Sequence, residues 1–147
     1  DLETGPSREP RNAVDALIET PFGPLRVIGT HLSLSWRERR SEAKNLMRLM
    51  RAVEAAGTHP LLLMGDINEW QRPSALLRFL DETLTPLPCA ASFPSWLPLL
   101  RLDRAWHDAP GLRVSAHRLA ARGLRLLSDH LPLLAEVEFP PKPAELG

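Results

Sequence analysis

With 147 residues, 44% of them apolar and 24% charged, the chain is long enough for one globular domain with a real core. Eighteen basic residues balance eighteen acidic ones, so net charge gives no argument for a nucleic-acid or membrane partner, though it leaves room for a local basic rim. Cys89 is the only cysteine, which excludes an intrachain disulfide and a cysteine-built metal site and leaves Cys89 as a small packed hydrophobe.

No apolar run approaches the roughly 20 residues of a membrane-spanning helix, so no stable membrane insertion is expected. The absence of disulfides leans towards the cytoplasm. The chain opens on Asp1, not Met, and its true N-terminus is expected to lie upstream.

Residues 1–11 are polar and proline-bearing, which predicts a flexible lead-in. From Ala13 to Thr20 apolar and polar residues alternate, and Pro21-Phe22-Gly23-Pro24 is turn-forming before a second strand at Leu25 to Leu32; together they predict a β-hairpin. Ser35 followed by Glu38 has the form of a capping box. The stripe of Ala43, Leu46, Met47, Met50 and Val53, stopped by Gly57, predicts a long amphipathic helix. Leu61 to Met64 fits a short buried strand. Pro73 to Asp81 fits a shorter helix with proline at its first position. Four prolines between Thr85 and Pro98 predict irregular chain. Three more strands are expected at Leu100 to His107, Arg113 to Arg118 and Leu133 to Phe139, before a fraying tail at 141–147. Residues 12–140 thus form one α/β (α+β) layered unit.

Four segments place polar residues at the ends of apolar runs: Thr30-His31-Leu32, Gly65-Asp66-Ile67-Asn68, Arg101-Leu102-Asp103 and Ser128-Asp129-His130-Leu131-Pro132. Strand ends can hold side chains rigidly at a solvent-facing mouth. Asp66 and Asn68, two apart, would point to one side of an extended backbone. Carboxylates and imidazoles together supply what metal-assisted hydrolysis needs: base, acid and cation ligands. Singly, each has a plainer explanation: Asp66, Asn68 and Asp129 as turn formers, Asp103 as an ion-pair partner of Arg104, His31 as a packed histidine. Trp36 and Trp70 follow two of these motifs and are candidates for cleft walls or for packing. Arg37, Arg39 and Arg40 are candidates for an anionic substrate or for a solvated helix start.

In this order, the THL, GDIN, RLD and SDHLP motifs resemble the endonuclease/exonuclease/phosphatase (DNase I-like) superfamily, over nearly all of the chain. The stretch Ser92-Phe93-Pro94-Ser95-Trp96, running on to Asp103, is similar to bacterial members described as metal-dependent hydrolases. The resemblance implies a sandwich of two stacked sheets flanked by helices, of which this chain supplies mainly the C-terminal sheet and helices. It implies that Asp66 orients and deprotonates the attacking water and that Asn68 binds that water or the phosphate. His130 would hold a phosphate oxygen as imidazolium, Asp103 would orient His130, and His31 would contact the phosphate near the leaving group. Asp129 would help bind Mg²⁺ or Mn²⁺.

The family pattern opens with a strand bearing an asparagine and another ending in a metal-binding glutamate. Neither is found here, so a missing N-terminal part of the domain, or a second copy, is an expected partner. The expected activity is Mg²⁺-dependent hydrolysis of a phosphoester, whose carrier is a small molecule, a phospholipid headgroup or a nucleic acid. The alternatives are a non-catalytic binding module and a DNA endonuclease or exonuclease.

Overall fold

The computed structural model describes residues 11–57, 59–70, 74–121 and 123–140. The expected lead-in, apart from Arg11, and the expected tail lie outside them, as does Pro73. Strand β1 (Ala13–Thr20) turns back into β2 (Gly23–His31) as an antiparallel hairpin closed at Thr20 opposite Gly23. Helix α1 (Trp36–Ala56) then carries the chain over the sheet to β3 (Leu61–Asp66), which runs parallel to β2. Helix α2 (Ala75–Thr83) leads into a two-residue strand, β4 (Thr85–Pro86). After an irregular stretch, β5 (Asp103–Asp108) lies antiparallel to β3. The five strands form one sheet in the order β1-β2-β3-β5-β4, and β6 (Arg113–Arg118) with β7 (Leu133–Glu138) forms a separate two-stranded ribbon.

One core fills the space between the sheet and the helices. Ile28, Leu63 and Trp106 are paired neighbours across β2, β3 and β5 and pack beneath Leu46, Met50 and Val53 of α1 and Leu76, Leu77 and Leu80 of α2. The apolar stripe of α1 is thus the buried one, and the helix ends as expected at Gly57 in the left-handed conformation. Truncating Leu63, which has no exposed surface, would cost about 2–5 kcal/mol. On the opposite face of the sheet, Ala105 and Met64 meet Ala116 and Leu133 of the ribbon, with Cys89 between them. Cys89 is the packed hydrophobe its isolation suggested.

Three local expectations need correction. Ser35 is the N-cap of α1 but its side chain makes no capping bond. Instead Glu42, one turn further along and buried, accepts from the backbone N–H of Ser33 at 2.7 Å and from its hydroxyl at 2.5 Å, so the loop is tied to the helix from the side. Helix α2 runs beyond Asp81 to Thr83; Ser74 caps it by accepting from the Leu77 N–H at 3.3 Å. Strand β5 begins at Asp103, not Leu100, because Leu100 is taken by a bridge to Phe93 that closes a tight excursion.

Strand β1 lies at the edge of the sheet, with Val14, Leu17 and Ile18 each about half exposed or more. An apolar edge strand with unpaired backbone groups recruits partners. The purified chain should therefore show an elution volume that depends on concentration, and Ile18→Lys should remove that dependence. A chain that elutes as a monomer at every concentration would contradict this.

Candidate active site

The register of three strands builds the site. His31 at the end of β2 is paired with Asp66 at the end of β3, and Asp66 with Asp103 at the start of β5. The three side chains therefore stand abreast. Gly65 permits it: with φ at 153°, any Cβ there would lie 1.9 Å from the carbonyl oxygen of Thr30. Only glycine lets β2 and β3 approach so closely at this end.

Beyond Asp66 the backbone does not continue as a strand. Asn68 adopts φ of 52°, a left-handed conformation that asparagine tolerates better than most residues. Its backbone N–H donates to Asp66 Oδ1 at 2.9 Å, and its amide nitrogen donates to Asp66 Oδ2 at 3.1 Å and to the Leu32 carbonyl at 2.7 Å. Asp66 and Asn68 meet through a turn, not through the same-side alternation expected of extended chain. The plain turn-former explanation holds at this pair, and both residues line one cleft. The Oδ1 of Asn68 is buried and has no hydrogen-bond partner.

His130 arrives from the loop before β7. Its Nδ1 lies 2.7 Å from Asp103 Oδ2 and its Nε2 lies 3.7 Å from Asp66 Oδ2. The Ser92 hydroxyl donates a short hydrogen bond to the same Asp103 oxygen, and the Phe93 ring tilts against the imidazole with centroids 5.0 Å apart. These contacts leave the imidazole one orientation. His31 Nε2 approaches Asp66 Oδ2 at 3.4 Å from the other side, and an Arg11 guanidinium nitrogen lies 2.8–2.9 Å from both His31 ring nitrogens. His31, Asp66, Asn68, Asp103, Asp129 and His130 all line one open cleft of about 520 Å³.

The electrostatics of the cleft centre on Asp66. Burial pushes its carboxyl above the ordinary aspartate range, and the nearby charge of Asp103 pushes it further. The Asn68 N–H, His130 and His31 pull against that shift without cancelling it. Two half-buried carboxylates this close call for positive charge. Asp66, Asp103 and His130 present one ligand atom each, all within 4.8 Å of one another. Hard oxygens plus one imidazole suit Mg²⁺ or Mn²⁺. Three donors fall short of the six that Mg²⁺ takes. Asp129 is exposed on the cleft wall and its side chain is not in this compact group; its carbonyl accepts from the Ser95 N–H at 2.6 Å.

Several residues acquire clearer parts. Trp70 lines the cleft, whereas Trp36 lines a neighbouring groove with Arg40 and Lys44. Arg39 is not a solvated cation at the helix start. It is buried, donates to the Ser33 and Leu34 carbonyls at 3.0 and 2.8 Å, reaches Glu69 at 3.6 Å and lies over the Trp70 ring. It staples the loop after β2 to the loop after β3. Sequence reasoning missed Ser92 and Arg11 at the site. The motif around Ser92 was visible, but its hydroxyl becomes meaningful only once Asp103 is placed beside it.

The family model described as the endonuclease/exonuclease/phosphatase family matches residues 3–130. The chain belongs to that family. The uncharacterised protein YbhP of Escherichia coli K12 is 36% identical over 122 residues, covering 78% of this chain and 47% of its own, so the chain spans about half the length of this curated relative. An endonuclease/exonuclease/phosphatase family protein from Bacteroides thetaiotaomicron superposes with a TM-score of 0.70 at 17% identity, over 94% of this chain and 60% of its own. A mannosyl-6-phosphatase from the same organism gives 0.59 at 19% identity, over 79% and 52%. Such likenesses establish the DNase I-like fold. Members of the family are hydrolases of phosphoester bonds and typically depend on divalent metal. Among the described residues no helix is long and apolar enough to cross a membrane.

Because the pKa of Asp66 is raised on folding, the folded state keeps a proton that the unfolded state has released above about 3.9. Stability therefore falls as pH climbs from there through the raised value, and levels off above it. Melting temperature plotted against pH should show that decline in the wild-type chain and lose it in Asp66→Asn. Parallel curves for the two would remove Asp66 as its cause.

Proposed function

We propose that the chain forms part of a divalent-metal-dependent phosphoesterase that hydrolyses its substrate by in-line attack of water, without a covalent enzyme intermediate. The observation that carries the proposal is the orientation of His130. Its Nδ1 is engaged by Asp103 at 2.7 Å while its Nε2 lies 3.7 Å from Asp66 on the cleft side. A histidine held this way can present an N–H to a non-bridging phosphate oxygen and stabilise the charge that builds up in the transition state.

Asp66 takes the part of the base. Its raised proton affinity suits it to orient a water and accept its proton, since an efficient base has a pKa drawn towards the working pH. Asn68 fixes the Asp66 carboxylate through two hydrogen bonds. His31, on the far side of Asp66, contacts the phosphate near the leaving group. Asp129 would help hold Mg²⁺ or Mn²⁺; the bound cation would supply charge neutralisation of the phosphate. A module that only binds has little use for a carboxylate whose ionisation is opposed by burial and by a neighbouring acid.

In a protein that contains this chain at full natural length, Asp66→Asn and His130→Ala should each lower kcat on a generic phosphodiester by at least about 10²-fold. Turnover near the wild-type rate in either variant would end the assignment. The 147-residue chain alone should bind Mg²⁺ weakly and hydrolyse almost nothing, and isothermal titration with Mg²⁺ beside the same assay checks both. Ordinary enzyme rates from the chain alone would mean that other residues hold the metal.

A further inference from the structure

Two loops flank the mouth of the cleft. The first is the tight excursion closed by the Phe93–Leu100 bridge, with Trp96, Leu97 and Leu99 near its tip. The second is the 3₁₀ turn at Leu124–Leu126, which runs through Leu127 into Ser128, Asp129 and His130. They are joined: the Ser95 N–H donates to the Asp129 carbonyl at 2.6 Å, and the Leu131 N–H to the Ser92 carbonyl at 2.9 Å. The bases of both loops line the cleft through Phe93, Leu100 and Ser128. Their outward side chains are among the most exposed large apolar groups in the molecule: Trp96 at 71%, Leu99 at 70%, Leu126 at 88% and Leu127 at 81%.

Up to Asp129, which lies on the cleft wall, charge in these loops is one-signed. Residues 92–101 (SFPSWLPLLR) and 119–127 (LAARGLRLL) contain arginines and no acidic residue, in a chain whose net charge is zero. Arg101 and Arg125 are both exposed. Exposed tryptophan and leucine with arginine beside them, on projecting loops and not on a flat face, match the boundary between lipid headgroups and acyl chains. There the apolar groups leave water while the guanidinium groups remain among phosphates.

We propose that these two loops dock the mouth of the site onto an anionic phospholipid bilayer, so that the substrate is a phosphoester of a membrane lipid headgroup. The substrate half of this rests on the phosphoesterase reading above; the docking half does not. The bond between Ser95 and Asp129 would let the two loops seat together, with the carboxylate–histidine cluster recessed below the headgroup layer.

Flotation with vesicles of a purified protein that contains this chain at full natural length tests the docking. The probes are vesicles of phosphatidylcholine alone and of phosphatidylcholine mixed equally with phosphatidylglycerol. The protein should float with the mixed vesicles, less with the neutral ones, and less as salt is raised. The double variants Trp96→Ser with Leu127→Ser, and Arg101→Glu with Arg125→Glu, should each lower the bound fraction at least about fivefold. Turnover of a water-soluble phosphodiester should stay unchanged, since none of the four side chains lines the cleft, while hydrolysis of vesicle lipid falls with binding. Absence of flotation, or variants that float as well as wild type, would overturn the proposal. So would variants that change oligomeric state without vesicle binding, because the loops would then be a protein interface. Vesicle binding with soluble-ester turnover but no lipid hydrolysis would overturn the substrate half. Absence of turnover on every ester would instead strike the phosphoesterase reading and leave the flotation result standing.

Discussion

The backbones of β2 and β3 come together at Gly65 with no room for a side chain, and that approach sets the spacing at which the site is assembled. Three residues along each strand from the row of His31, Asp66 and Asp103 lies the row of Ile28, Leu63 and Trp106. The odd spacing puts the apolar row on the helix side and the polar row on the other. A slip of one residue would exchange the faces and bury the carboxylates under α1 and α2. The apolar core therefore does more than hold the sheet together. It fixes the register that places the reactive groups, and Trp106 adds a direction by donating from its indole to Asp81 of α2 at 2.8 Å.

The loops that complete the site are held by charged groups taken out of water. Arg39 and Glu42 both lie in the first turns of α1 and are buried. A cation there gains nothing from the helix dipole, so the interactions that keep Arg39 in place are its two carbonyl acceptors, the Glu69 carboxylate and the Trp70 ring. Removing one partner of such a buried set leaves the rest uncompensated, which costs far more than a surface ion pair is worth. Near the cleft the polar network runs the other way. Asp66 is placed where burial and Asp103 both oppose its charge, a local cost of the kind that functional sites carry.

Much of the architecture was legible because its signals were local. The bounds of β1, the stripe of α1 and its glycine stop, and the bounds of β6 all rest on periodicity or on a single backbone preference, and the structure has them. The site motifs were legible as a set, since polar residues at four strand ends are hard to explain separately. What could not be read depended on distant partners. Ser35 has the sequence of a capping residue, but Glu42 reaches Ser33 first. Leu100 has the composition of a strand, yet its bridge to Phe93 draws it into a loop. Asn68 looked like part of an extended run until its amide found the Leu32 carbonyl, 36 residues back. Arg39 looked like a solvated cation because nothing in its neighbourhood announces the Trp70 ring.

Gly65 and Asp66 are adjacent in sequence but answer to unrelated demands, one to backbone clearance and the other, on the proposed mechanism, to chemistry. A lineage that gave up hydrolysis would be released from the need for the carboxylate, and shedding it would relieve the burial that Asp66 now endures. It would not be released from the need for the glycine, because the clash with Thr30 concerns the sheet and not the reaction. In degenerate relatives the two positions should therefore decay in a fixed order, aspartate first. A chain that keeps the glycine beside a neutral residue would still have the fold but would have left the trade.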